Sequence, residues 1–462
     1  MAGWSKQHFN IKDMGSKEYD VFVIGSGIAG QTVAMGCAEA GLKVAIADNR
    51  GFGGTCAIRG CDPKKVILGA TEVLEASRNL KGRGVKKELK LNWGKLQKFK
   101  KNFTEKVPAS TEDKLRKAGI KLYHQSPKFI DEQTLSVEGK DVKAKKIVIA
   151  TGYVPHILPI KGSKYLKTSD DFLKLKKLPK KIVFIGAGYV GMEFAHMAVR
   201  AGAEVTIVDV GKRPLNAFDP DLVDSLAKHS KKLGIDFVFG VKIQSVKKLT
   251  KNFKLTYNKQ GTTKSLKARL IFSTAGRVPA ISELDLEKGN VVFNGNGVET
   301  NTFLQSKSNE NVYACGDVSD NGLPLTPLSG REGYVVSKNI INGNKKKLKT
   351  PVIPSVVFTL PNLASVGYSE AEAKDRYKSI SVKQGNGVDW FNAKRINAPV
   401  YAYKIILNER TEEIVGAHIL SPDAAETINI FAMAINQKMT ADDLQGTVFT
   451  YPSWINDVKS MV

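Results

Sequence analysis

Two thiols, Cys56 and Cys61, stand five residues apart in the run Gly53-Gly54-Thr55-Cys56-Ala57-Ile58-Arg59-Gly60-Cys61-Asp62-Pro63-Lys64-Lys65. On a glycine-rich turn, that spacing suits a reversible dithiol–disulfide. A Pro-Lys-Lys start signal and an apolar-periodic stretch from Val66 to Leu74 predict a helix directly afterwards. A cysteine at a helix N-terminus beside lysines is stabilised as the thiolate, the reactive form. The alternatives are a metal half-site and two buried structural thiols. Structural zinc takes four Cys/His ligands, and this run holds no further Cys or His. The redox reading is preferred, and no metal is expected, because the flanking segments supply what such a pair needs.

Those segments are two copies of one plan. A strand over Tyr19–Ile24 runs into Gly25-Ser26-Gly27-Ile28-Ala29-Gly30, which opens a helix through Ala40; a second strand, Lys43–Ala47, ends at Asp48. Gly25 and Gly27 allow a tight turn and close approach of a pyrophosphate. Gly30 lets the helix lie on the strand, the helix N-terminus holds the phosphates, and Asp48 can accept from ribose hydroxyls. The second copy is a strand Lys181–Ile185, then Gly186-Ala187-Gly188-Tyr189-Val190-Gly191, then a strand Glu204–Val208 ending at Asp209. The third glycine precedes the acid by 18 residues in both, since 48 − 30 and 209 − 191 each equal 18. Two dinucleotide sites predict two dinucleotides, a tightly held flavin and a diffusible nicotinamide. Asp209 favours the free 2′-hydroxyl of NADH, while Lys212 and Arg213 close behind it keep NADPH open.

The remaining cofactor candidates sit at strand ends. Ile147–Ala150 leads into Thr151-Gly152, where the chain can pass close to a cofactor, and Ile271–Gly276 echoes it. Gly54 and Thr55 join this set from the cysteine run. Asn311–Asp317 is a short strand ending in an acid, and Leu325-Thr326-Pro327-Leu328 starts a helix through Ile341 whose N-terminus suits the anionic edge of a reduced flavin.

With 462 residues the chain has ample core for several domains. No apolar run approaches the roughly 20 residues of a membrane span, and no secretory signal opens it. Four cysteines are too few for a disulfide scaffold and fit a reducing cytoplasm with one catalytic pair. The net charge of +25 raises nucleic acid or anionic surfaces as partners. The lysines are spread along the chain, however, with no aromatic-interleaved RNA signature and no zinc-finger spacing. A solvated basic surface is expected, without specific nucleic-acid or membrane binding. Residues 1–18 read as an N-terminal extension, with Met14 as a possible second start. After Thr350, short strands (352–358, 401–407, 414–420) alternate with helices such as 424–436, which reads as an α+β domain suited to a dimer interface.

Together these motifs resemble the class I pyridine nucleotide–disulfide oxidoreductases: glutathione reductase, dihydrolipoamide dehydrogenase and mercuric reductase. The resemblance covers nearly all of Tyr19–Val462. It implies an α/β protein with two Rossmann-like dinucleotide-binding domains and a C-terminal α+β dimerisation domain. FAD would occupy a discontinuous domain, 19–152 with 276–345; NAD(P)H would occupy 153–275; and 350–462 would form the homodimer interface. By the same resemblance Cys56 is the interchange thiol and Cys61 the charge-transfer thiol. Lys64 is the lysine near flavin N5, with Glu193 its partner. Tyr189 gates the nicotinamide pocket and Asp317 holds the flavin ribityl chain. Electrons would pass from NADH through FAD to the Cys56–Cys61 disulfide and on to a small-molecule acceptor.

The pattern departs from the family at one place. Where the disulfide reductases carry His-Pro-Thr and then a glutamate, with the histidine serving the partner subunit's thiol, this chain reads Tyr451-Pro452-Ser453-Trp454-Ile455-Asn456. A phenol, with a pKa of about 10, is a poor base near neutrality but can donate a proton. None of the six histidines lies beyond His418, which reads as structural. The chain ends without the C-terminal cysteines of mercuric reductases. The expected function is reduction of a small disulfide or related oxidised sulfur compound. The alternative is a metal-ion or quinone reductase that needs no histidine base. A third reading, from the net charge, is a basic binding protein with the flavin as a sensor.

Overall fold

The computed structural model describes residues 17–321 and 324–462. Most of the expected extension over 1–18, including the second start at Met14, lies outside the described residues. Lys17 and Glu18 already belong to the first strand, Lys17–Ile24, because they pair in register with Val142 and Lys143. Along the chain the first helices are α1 (Ile28–Glu39), α2 (Gly54–Arg59), α3 (Cys61–Asn79), α4 (Trp93–Thr104) and α5 (Val107–Lys117). They are followed by α6 (Ser169–Leu173), α7 (Tyr189–Arg200), α8 (Pro220–Lys232) and α9 (Thr326–Asn342).

The chain divides into two compact units. The first holds 17–58, Lys106–Val154 and Val278–Leu348. Its centre is a parallel sheet in the order Lys121–Tyr123, Val44–Ala47, Lys17–Ile24, Lys140–Ile149. Lys140–Ile149 is long enough to pair twice on its other side, antiparallel with Thr134–Val137 and parallel with Val312–Ala314. All four residues of Val44–Ala47 are buried, the mark of a parallel strand covered on both faces. One cover is α1 packed on α9. That contact is close because Gly333 has no side chain: a Cβ there would press on the Ala29 carbonyl.

The second unit holds Arg59–Glu105, Pro155–Arg277 and Lys349–Val462. Its parallel sheet runs Ile235–Val238, Glu204–Val208, Lys181–Ile185, Leu270–Ser273. A three-stranded antiparallel sheet spans residues 242–268, and the C-terminal part is a five-stranded antiparallel sheet with the helix Ala424–Gln437 against it. Lys404 of that sheet is buried against α8, with its Nζ 2.9 Å from Asp219 and 2.6 Å from Asp221. The architecture is the expected one: two dinucleotide-binding folds and an α+β C-terminal domain. The sequence reading missed the strands Asn362–Gly367 and Ile380–Asn386, whose Gly, Ser and Asn content obscures the alternation that marks a strand.

Candidate active site

The cysteine run is not a turn, as the sequence had suggested, but two helices. Gly53 and Gly54 take positive φ, +119° and +75°, and Thr55 to Arg59 holds neither glycine nor proline to break a helix. Gly60 ends α2 and caps α3. Pro63 does not delay α3, because the first turn's N–H groups have no intrahelical partner to lose. Cys56 therefore lies half-buried within α2, beside half-buried Thr55, and Cys61 is the exposed first residue of α3. The boundary between the units falls at Ile58–Arg59, so each unit carries one thiol.

The first glycine loop is built as a cradle. A Cβ on Gly30 would overlap the Gly25 carbonyl, and one on Gly25 would overlap the Ala150 carbonyl, whereas one on Gly27 would meet nothing. Asp48 does more than await a ribose. Its Oδ2 accepts from the Ser26 N–H (3.0 Å) and hydroxyl (2.6 Å), and its Oδ1 from the Arg50 N–H (2.8 Å). Ser26 Oγ in turn accepts the Gly53 N–H at 3.0 Å, which seats the Gly53–Gly54 backbone on Gly27. Nothing in a GxGxxG pattern singles out that serine. Thr151 Oγ1 is buried at the neighbouring strand end with no partner among the described residues. Gly152 follows at φ +66°, its carbonyl accepting the Ala280 N–H. An open glycine cradle with an orphaned hydroxyl beside it fits a bound dinucleotide.

The second loop repeats the device. Gly191 crowds the Gly186 carbonyl and Gly186 the Thr274 backbone, while Gly188 and Gly276 are open. Asp209 accepts from the Ala187 and Gly211 N–H groups, both at 2.6 Å. A cleft here is lined by Pro155, Ser169, Gly188, Tyr189, Thr274 and Arg277, with Tyr189 about half exposed at its mouth.

One turn into α3, Lys64 meets Glu193 of α7, at 3.2 Å to Oε1 and 2.9 Å to Oε2. Glu193 is buried, and its Oε1 also accepts the Phe358 N–H at 2.9 Å. The Phe358 ring lies under both Lys64 and Lys65, 4.6 and 4.2 Å from ammonium to ring centre. The pairing of Lys64 with Glu193 was foreseen from resemblance; Phe358 was not, since one aromatic in an apolar strand signals only core.

A further unforeseen group is Glu332 on α9. It is buried, and its Oε2 accepts the Gly316 N–H at 2.6 Å, beside Asp317, to which Ser329 Oγ donates at 3.3 Å. Burial, with the Asp317 charge adding to it, raises the Glu332 carboxyl to about 7. A carboxyl raised in the folded state favours folding while protonated, so its contribution is full below about pH 4.5 and is lost as pH rises through 7. The parent protein is therefore expected to lose stability relative to Glu332→Gln between pH 4.5 and 7. The upper limit is about 3 kcal/mol, read from denaturant midpoints across that range; a constant difference would refute it.

The C-terminal candidates separate cleanly. Tyr451 is 70% exposed, its ring 6.4 Å from that of Phe391, itself exposed. His418 is buried within its strand: Nε2 is 3.2 Å from the Tyr368 carbonyl, which fixes the proton there, and Nδ1 accepts from Ser365 Oγ at 2.8 Å. Both nitrogens are thus spent inside the sheet.

Comparison with known proteins agrees with this arrangement. The model of the pyridine nucleotide-disulphide oxidoreductases matches residues 19–333, and that of their dimerisation domain matches 353–462. A glutathione reductase of Burkholderia cepacia is 31% identical over 94% of this chain and 96% of its own. A mercuric reductase of Staphylococcus aureus is 30% identical over 96% of this chain and 81% of its own. A dihydrolipoyl dehydrogenase of Staphylococcus aureus is 30% identical over 94% of both. Among solved structures, the HOCl-induced flavoprotein disulfide reductase RclA of Escherichia coli, known also as a Cu(II) complex, superposes with a TM-score of 0.85 at 25% identity, covering 96% of this chain and 99% of that one. Among the described residues no helix is long and apolar enough to cross a membrane. With both family models matched in order and two glycine cradles built alike, the chain belongs to the pyridine nucleotide–disulphide oxidoreductases, flavoprotein enzymes that work with FAD and NAD(P)H.

Proposed function

We propose that this enzyme passes electrons from NADH to a Cys56–Cys61 redox disulfide and on to a small disulfide or related oxidised sulfur compound. The observation that carries the reading is α3 itself: a thiol at its first residue and, one turn on, a lysine locked to a buried glutamate. Gly25, Gly27, Gly30, Thr151 and Asp317 would hold FAD; Gly186, Gly188, Gly191, Asp209 and Gly276 would hold the nicotinamide dinucleotide. Bound FAD supplies two-electron exchange between nicotinamide and sulfur. The helix N-terminus keeps Cys61 as a thiolate, Lys64 keeps positive charge beside it, and Cys56 exchanges with the acceptor. Tyr451, serving the partner subunit, donates the proton that the departing thiolate needs.

Anaerobic titration with NADH, and then NADPH, tests the path. A long-wavelength charge-transfer band is the expected result; bleaching of the flavin without it would remove the cysteines from the path. Tyr451→Phe is expected to slow disulfide turnover about tenfold and to leave stopped-flow flavin reduction at the parent rate. Equal turnover would make the phenol a bystander.

A second reading, metal-ion reduction, is favoured by the exposed Tyr451 standing where a base is missing, and by relatives named mercuric reductase and a neighbour solved with Cu(II). Turnover of Cu(II) or Hg(II) that falls in Cys56→Ser would support it. Unchanged turnover would leave only flavin-level reduction.

A further inference from the structure

The Phe358–Leu360 segment is gripped by one face of α7. Glu193 takes the Phe358 N–H; one turn later His196 Nδ1 takes the Leu360 N–H at 3.2 Å; one turn after that Arg200 donates to the Leu360 carbonyl at 2.7 Å. His196 is buried, as is the side chain of Arg200, which is anchored to Glu75 of α3 at 2.8 Å. The ring of His196 has one permitted state. Nδ1 faces two donors, the Leu360 N–H and an Arg200 N–H at 3.2 Å, so it must carry a lone pair. Nε2 then bears the proton and gives it to Ser230 Oγ at 2.9 Å, whose own proton goes to the Leu226 carbonyl at 2.8 Å. A second proton on the ring would point at the guanidinium.

We propose that His196, as the Nε2–H tautomer, is a positioning residue for the Lys64–Glu193 pair: by holding Leu360 it fixes Phe358, whose N–H binds Glu193 and whose ring underlies Lys64. Phe358 is tied to the pair twice and to the rest of α7 through the Leu360 peptide. With its N–H released, Leu360 keeps only the Arg200 bond to its carbonyl, and the loosened segment lets the ring withdraw from Lys64 and takes a hydrogen bond from Glu193. The proposal rests on the reading above that the pair serves flavin reduction.

The test compares flavin-loaded His196→Leu and His196→Gln, each alone and combined with Lys64→Met. Glutamine can still accept from Leu360 and donate to Ser230; leucine can do neither. Flavin reduction by NADH is expected to slow about tenfold in His196→Leu and to return to within about threefold of parent in His196→Gln. In the Lys64→Met background the two substitutions should give equal rates, because the group they act through is gone. Amide exchange of the peptide spanning Phe358–Leu360, followed by mass spectrometry, should be faster in His196→Leu and parent-like in His196→Gln. If His196→Leu does not load flavin, Ser230→Ala, which removes the acceptor for Nε2–H together with the hydroxyl's own bond to the Leu226 carbonyl, takes its place in the cycle. Unchanged exchange, or slowing that persists in full without Lys64, would overturn this proposal alone. Parent-like flavin reduction in Lys64→Met would overturn the role given to the pair, and the proposal with it.

Discussion

Cys61→Ser is expected to lower disulfide turnover at least about a thousandfold while NADH still reduces the flavin. The hydroxyl of serine is close in size to the thiol, but it neither ionises near neutrality nor forms a disulfide. Cys61 is the exposed first residue of α3, with Lys64 one turn beyond, so the loss should be chemical and the fold should stand. The same turnover loss is expected for Cys56→Ser, with one spectral difference. Cys56→Ser retains the thiolate at position 61 and with it the long-wavelength band; Cys61→Ser loses the band. Turnover assays with a small disulfide, paired with anaerobic spectra, separate the two roles. A band that survives in Cys61→Ser would reverse the assignment of the thiols.

The second large effect concerns the Lys64–Glu193 pair, where stability and chemistry should part company. Glu193 is 3% exposed and its carboxylate is met by Lys64 and by the Phe358 N–H. Lys64→Met leaves that carboxylate buried with one hydrogen bond, at a cost of about 3 kcal/mol. Adding Glu193→Leu removes the stranded charge, so the double variant should recover most of the loss, since an apolar pair of similar volume often matches a buried ion pair. Flavin reduction should remain about a hundredfold slow in both variants, because neither carries the positive charge. Unfolding midpoints and stopped-flow reduction measured on the same preparations test this. A double variant that regains the rate would reduce the pair to a structural brace.

The sequence alone determined the two cradles. Glycine spacing, apolar strands and an acid at the strand end are set by local geometry, because a helix can lie on its own strand only where side chains are missing. Gly30 against Gly25 and Gly191 against Gly186 were therefore legible within a few residues. The C-terminal domain was legible in class but not in detail, as the strands Asn362–Gly367 and Ile380–Asn386 lack the alternation that would mark them. The cysteine run was read as a turn because its glycines look like breakers. Tertiary structure resolved it as two helices, since Gly53 and Gly54 supply positive φ where α2 begins and Pro63 falls where a missing N–H costs nothing.

What surrounds the chemistry was set by packing between elements far apart in the chain. Glu193 and Phe358 are 165 residues apart in the chain, His196 and Leu360 164, and Gly316 and Glu332 16 with a helix start between them. No local pattern records which buried N–H will face which carboxylate or imidazole. Such partners are chosen when packed elements must leave no buried polar group unpaired, and that choice is made between surfaces that the sequence order does not join.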